Sequence, residues 1–250
     1  MSMIVTTVVP DGIVMAADSA TTHFKYADMQ NIFAENYQQA VLNSKNGTVP
    51  PTRENILQWS TSSRYTRKIN VLNGNNIAII YGNEMMTQDN VSLDPYVENF
   101  CLKNKFDNPK DAAMLLMGYL RREFSMQDAS FMIGGYVHSR ECEPYPETYH
   151  INIKQNKLTR MTGKGEYGML FASANEYFTN FRELININAH AFALQDAIDV
   201  TLWAFDTAMK CERFIDLKRF IWPPIDVLVI TQKGVEWVQC KKLQGKELEV

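Results

Sequence analysis

The stretch Asp11-Gly12-Ile13-Val14-Met15-Ala16-Ala17-Asp18-Ser19 decides how the chain is read. Before it lies the β-rich run Met3 to Val9, and Pro10-Asp11-Gly12 between the two runs is a tight-turn signal. The spacing predicts an antiparallel hairpin in which paired residue numbers sum to about 22. That register sets Asp18 opposite Ile4 and brings its carboxylate near Ser2 at the free end of the strand.

A second hairpin is expected further on. Lys68 to Leu72 reads as a strand, Asn73-Gly74-Asn75-Asn76 as a turn, and Ile77 to Tyr81 as a strongly apolar strand. Paired numbers there sum to about 149, which places Lys68 opposite Tyr81 and beside Gly82. Between the hairpins, residues from about 23 to 62 differ in character. Ala27 to Leu42 is compatible with a short helix, and Asn, Gln, Thr, Ser and Pro50-Pro51 dominate the rest. We read this stretch as an insertion into one domain spanning residues 1–250.

Beyond it, Asn108-Pro109 opens a helix, with Asn as cap, Pro in the first turn and Asp111 near the positive end of the dipole. Its apolar stripe is Ala112, Leu115, Leu116, Tyr119 and Leu120. Strands are expected at Ser130 to Val137, Thr148 to Ile153 and Leu158 to Met161. A second long helix covers Gln195 to Cys211, and Ile225 to Thr231 with Val235 to Cys240 forms a closing hairpin. Hairpins, helices and more hairpins make an α+β layered protein.

Composition narrows the function classes. Hydrophobic residues at 46% and charged residues at 21% suit a globular domain with a sizeable core. A net charge of −3 without a basic run argues against nucleic acid as a partner. No apolar stretch reaches the roughly 18 residues of a membrane span, and no signal peptide is evident, so a cytoplasmic protein is expected. Cys101, Cys142, Cys211 and Cys240 make no CxxC and read as reduced thiols. The four histidines (His23, His138, His150 and His190) lack ligand spacing, so neither a metal nor a cofactor is expected.

The chemistry lies in a constellation. Without Met1, the chain starts with the Ser2 hydroxyl on its own terminal amine, and Asp18 follows sixteen residues later (18 − 2). Gly82 stands fourteen residues after Lys68 (82 − 68). A free α-amine titrates at about 7.7–8.0 and can accept the hydroxyl proton, so such a serine needs no histidine. A nearby lysine ammonium pushes that amine further down, and a carboxylate such as Asp18 offsets the cost of burying the lysine. A glycine at a strand end lets a backbone N–H approach a tetrahedral oxyanion. Singly, each residue is an ordinary turn or strand-end residue; the joint spacing carries the reading.

On these residues the chain resembles the β-type subunits of the proteasome family, which includes HslV-like and Anbu-like peptidases of the N-terminal-nucleophile hydrolase superfamily. The DG-hydrophobic-AADS stretch at 11–19 is similar to the family's. Ser63-Arg64-Tyr65-Thr66-Arg67-Lys68-Ile69 resembles the strand carrying the catalytic lysine, Ile133-Gly134-Gly135-Tyr136 a later GGYD-like strand, and Ile225 to Thr231 the closing strand. The resemblance implies a four-layer αββα sandwich of two antiparallel sheets flanked by helices. It places the nucleophile on Ser2, where the family has threonine, and its partners on Asp18, Lys68, Gly82 and Ser173. Thr6 and Thr7 lie only twelve and eleven residues before Asp18 (18 − 6, 18 − 7) and are read as strand residues. A second aspartate of the family precedes a Ser-Gly-Gly turn; here Trp222-Pro223-Pro224 stands in its place, and Asp216 is the nearest candidate.

By the same count Thr22 and Glu84 fall where the family binds an extended peptide through its backbone. Ile80 falls in the floor of the first specificity pocket, which implies an apolar or uncharged P1 side chain, or else it is a core residue. The implied function is hydrolysis of peptide bonds in polypeptide substrates by a homo-oligomeric ring. Ring size and any ATPase partner are not readable. Two rival readings stay open: a non-catalytic structural subunit of the same fold, and a small-molecule amidase or acylase with the same chemistry.

Overall fold

The computed structural model describes residues 3–25, 58–63, 66–72, 74, 76–83, 92–124, 129–173, 187–215 and 221–241. The chain packs as two compact units, Met1–Thr21 with Ser63–Val250, and Thr22–Ser62. Strands β3 (Thr21–Lys25) and β4 (Gln58–Ser63) pair as a two-stranded sheet. The helix expected over Ala27 to Leu42 lies outside the described residues.

The larger unit is built on two five-stranded antiparallel sheets. The first has the order β10-β1-β2-β11-β12, from β10 (Gly168–Ser173), β1 (Met3–Val9), β2 (Gly12–Ala17), β11 (Asp226–Thr231) and β12 (Gly234–Gln239). The second runs β5 (Ile69–Val71), β6 (Ile77–Asn83), β7 (Ala129–Val137), β8 (Tyr145–Asn152) and β9 (Lys157–Thr162). Every residue of β1 and β2 is buried, because each strand lies inside its sheet and both faces are covered.

Three apolar layers hold the sheets and helices together. Ile4, Val8, Ile13, Met15, Leu228 and Ile230 of the first sheet meet Ile69, Ala78, Ile80, Met132 and Tyr136 of the second. The period-2 alternation of strands sends Met3, Val5, Val9, Val14 and Ala16 to the opposite face. There they pack on Ala197, Ala204, Phe205 and Ala208 of α3 (Leu194–Ile215). On the outer face of the second sheet, Ile79, Tyr81, Phe131, Ile133 and Ile151 pack on two helices. These are α1 (Asp94–Lys103), through Val97, Phe100 and Cys101, and α2 (Pro109–Phe124), through Ala112, Ala113, Leu116 and Leu120. The result is the four-layer αββα sandwich. Gly134 admits close sheet packing: a Cβ there would stand 2.6 Å from the Met15 Cε.

Several details depart from expectation. The first hairpin pairs Val9 with Gly12 and Ile4 with Ala17, so numbers sum to 21 rather than 22. The turn is two residues, Pro10 and Asp11, and Asp18 falls opposite Met3 instead of Ile4, its N–H donating to the Met3 carbonyl at 3.3 Å. The second hairpin keeps the expected sum of 149 (69 + 80). In α2, Leu115 is 48% exposed and Ala113 takes its place in the core. The Asn108 cap forms as read, its Oδ1 accepting from the Asp111 N–H at 2.9 Å while its Nδ2 donates to Asp111 Oδ2 at 2.7 Å. Strand β10 and helix α1 were not expected.

Candidate active site

The site grows from the ends of three strands. In the first sheet β1 lies between β10 and β2, so Met3 has Ser173 on one side and the Asp18 backbone on the other. Ser2 and Met1 precede the described residues. In the second sheet the Lys68 carbonyl accepts from the Tyr81 N–H at 3.0 Å, and Gly82 is the next residue of β6, paired with Ser130. Lys68 and Gly82 are thus neighbours at one end of the second hairpin.

Face-to-face packing brings Lys68 to Asp18. Lys68 Nζ donates to Asp18 Oδ1 at 2.6 Å, and both side chains have no exposed surface. The same oxygen accepts from the Met3 N–H at 3.1 Å. The other, Oδ2, accepts from the Ala20 N–H at 3.0 Å and the Trp222 N–H at 3.5 Å. The carboxylate therefore has backbone donors as well as the ammonium, and the N–H next to Ser2 is one of them. Burial is the strongest influence on Lys68 and lowers its pKa; the charge and hydrogen bond of Asp18 act in the opposite direction.

Two further groups support this pair. Tyr81 Oη lies 2.7 Å from Asp94 Oδ1 and 2.9 Å from the Arg67 carbonyl. Burial raises the Asp94 pKa, opposed by its hydrogen bonds to Tyr81 and Ser92. Lys241 and Asp226 form a second buried ion pair at 2.5 Å, linked to Ser19 and Thr66. Sequence reading missed both groups. The one signal for Asp226 is a charge opening an otherwise apolar run, Asp226 to Ile230; nothing in the Lys241-Lys242 stretch at 241–242 (Lys241-Lys242 in sequence being followed by Leu243) distinguishes it.

Of the remaining expected residues, Ile80 is fully buried in the layer between the sheets. Thr22 belongs to β3 in the smaller unit. Glu84 and Asp216 lie outside the described residues. No group of three or more metal-ligating side chains occurs among the described residues. All four cysteines are free.

Two antiparallel five-stranded sheets face to face between helix layers make a proteasome-like sandwich fold. Solved structures share it. An Anbu Gly-1 mutant from Hyphomicrobium sp. strain MC1 superposes with a TM-score of 0.57 at 14% identity, over 96% of this chain and 85% of that one. Anbu (ancestral beta-subunit) from Yersinia bercovieri gives 0.53 at 14% identity, over 94% and 86%. The likeness is one of fold. The sequence matches no protein-family model and no curated protein.

Proposed function

We propose that the protein is a proteasome-like subunit that hydrolyses peptide bonds, with Ser2 as its N-terminal nucleophile once Met1 has been removed. The observation that carries this reading is the fully buried Lys68–Asp18 pair bound to the N–H of Met3. A buried ammonium costs several kcal/mol of desolvation, and groups burdened in this way cluster at functional sites.

In the proposed reaction the neutral Ser2 amine takes the Oγ proton as Oγ attacks the scissile carbonyl. The Lys68 ammonium keeps that amine neutral at physiological pH and stabilises the developing charge. The Gly82 N–H donates to the oxyanion, and Ser173 orients the amine. The protonated amine then gives its proton to the leaving nitrogen, which leaves an ester on Ser2 Oγ. Water, deprotonated by the same amine, attacks that ester, and Oγ recovers its proton as the acid product departs. The extended-peptide contacts of Thr22 and Glu84 belong to the same proposal; Ile80, wholly buried between the sheets, is read as a core residue. Assembly into a homo-oligomeric ring and a cytoplasmic location also belong to the proposal; no helix among the described residues is long and apolar enough to cross a membrane.

The test combines intact mass with turnover of fluorogenic peptides. A chain lighter by one methionine, with turnover that drops at least ~10³-fold in Ser2→Ala, is the expected result. Unchanged turnover in Ser2→Ala overturns it. Retained Met1 without turnover identifies a structural subunit, and hydrolysis of small amides but not peptides identifies an amidase.

A further inference from the structure

Asp18 and Lys68 sit on segments with little regular structure of their own. Asp18 follows the last residue of β2, and Lys68 precedes the first of β5. Something must hold these two chain ends in register, and the Lys241 side chain, just past β12, reaches both. Its Nζ donates to Ser19 Oγ at 2.9 Å, one residue beyond Asp18, and to the Thr66 carbonyl at 2.7 Å, two residues before Lys68. Asp226 supplies the counter-charge, its Oδ2 lying 2.5 Å from the same Nζ as an ion pair.

The surroundings complete the clamp. Asp226 Oδ1 accepts from the Lys241 N–H at 2.8 Å, so the carboxylate grips both the main chain and the side chain of the lysine. Ser19 Oγ donates to the Pro224 carbonyl, its N–H donates to the Trp222 carbonyl at 2.9 Å, and its own carbonyl accepts from the Thr66 N–H at 3.0 Å. The Lys241 side chain is 4% exposed and that of Asp226 is wholly buried. A long cation immobilised so far from water, beside another buried lysine, is a poor choice for stability alone, since apolar replacements of buried ion pairs are often neutral or stabilising.

We infer that Lys241, held by Asp226, is a positioning residue for the Asp18–Lys68 pair: it fixes the two chain ends that carry the pair and adds a second positive charge behind it. The role of that pair in catalysis rests on the N-terminal-nucleophile reading; the clamp itself rests on the hydrogen bonds above. The charges facing Lys68 are Asp18, Lys241 and Asp94, and of these Lys241 alone works with burial to hold the ammonium's pKa down.

The experiment compares the wild type with Lys241→Met and with the double variant Asp226→Asn/Lys241→Met, which leaves no lone buried charge and guards against misfolding of the single variant. Lys68 is titrated directly by NMR of 13C-labelled lysine side chains, and the alkaline limb of kcat/KM is measured beside it. Both variants are expected to move the Lys68 titration to higher pH by about half a unit or more, with the alkaline limb moving in step. A folded variant in which the Lys68 titration is unchanged overturns the inference, whatever happens to stability. The NMR reading needs no turnover, so a failure of the clamp is distinct from a failure of the Ser2 reading, which Ser2→Ala decides.

Discussion

Asp18→Asn separates charge from shape at the centre of the site. The amide keeps the size of the carboxylate and one acceptor oxygen, but leaves the Lys68 ammonium buried without its counterion. Among the described residues, Asp18 is the one hydrogen-bond partner of that ammonium. Breaking a buried pair by removing one member costs about 3–5 kcal/mol, which is a large part of the ~5–15 kcal/mol that holds a domain folded. At ~2–4 °C per kcal/mol for a chain of this size, Tm should drop by roughly 6–20 °C.

The pH dependence has a definite sign. Burial already holds the Lys68 pKa below its ordinary value of 10.5. In the window between the folded and ordinary values the unfolded chain binds more protons, so this group's contribution to stability rises with pH. Removing Asp18 removes the largest influence that raises the folded value, so the window opens at lower pH. The deficit of the variant is therefore larger at neutral pH than in alkali, where both folded forms have lost the proton. Guanidinium unfolding of wild type and variant at both pH values measures it, with unchanged m-values as the check on a common unfolded state. A deficit under about 1 kcal/mol at neutral pH, the size of a surface ion pair, or one that does not narrow in alkali, refutes the reasoning.

One further change probes the support around the pair, and a second probes a helix cap apart from it. Tyr81→Phe removes the hydroxyl beside Asp94 and should cost about 1–3 kcal/mol. Because the Asp94 pKa is already raised, the folded state binds the extra proton and stability declines as pH rises through that window; losing the Tyr81 donor widens it. The deficit in urea unfolding should accordingly be larger near neutrality than near about pH 4.5, and an equal deficit at both refutes the assignment. Asn108→Ala removes the cap of α2 and should cost about 1 kcal/mol, read as a Tm lower by ~2–4 °C, without altering the Lys68 titration.

Local rules carried most of this architecture. The hairpin signals of Pro10-Asp11-Gly12 and Asn73-Gly74-Asn75-Asn76 located both strand ends of the site, and the Asn108 cap formed as read. The first register was one residue out because a two-residue turn and a slightly longer one leave the same punctuation in sequence, while the pairing differs by one. Leu115 fits an apolar stripe by period alone; the second sheet meets α2 on the side of Ala113, which no periodicity distinguishes. Helix α1 carried a readable signal, Asp94-Pro95 followed by Val97, Phe100 and Cys101 at core spacing. Strand β10 has no such mark, since Gly168 to Ser173 becomes a strand by completing the edge of β1. The Asp18–Lys68 meeting was legible because two hairpins delivered it. The Lys241 clamp was not, because it joins four segments that are distant in sequence and share no motif.

The place of β1 also bears on how the chain is made. Leaving the ribosome, β1 and β2 can pair with each other at once, but both faces of that hairpin are apolar and both outer edges lack a neighbour. The edge of β1 waits for residues up to Ser173, paired with Met3, and the edge of β2 waits for β11 at Asp226 to Thr231. At a synthesis rate of ~5–20 residues per second, the 170 residues between Met3 and Ser173 (173 − 3) take on the order of ten to thirty seconds. For that interval a two-stranded ribbon, too small to be stable alone, has open edges and two greasy faces in a crowded cell. The first sheet of a nascent chain thus stays unfinished on both edges until its last strands emerge.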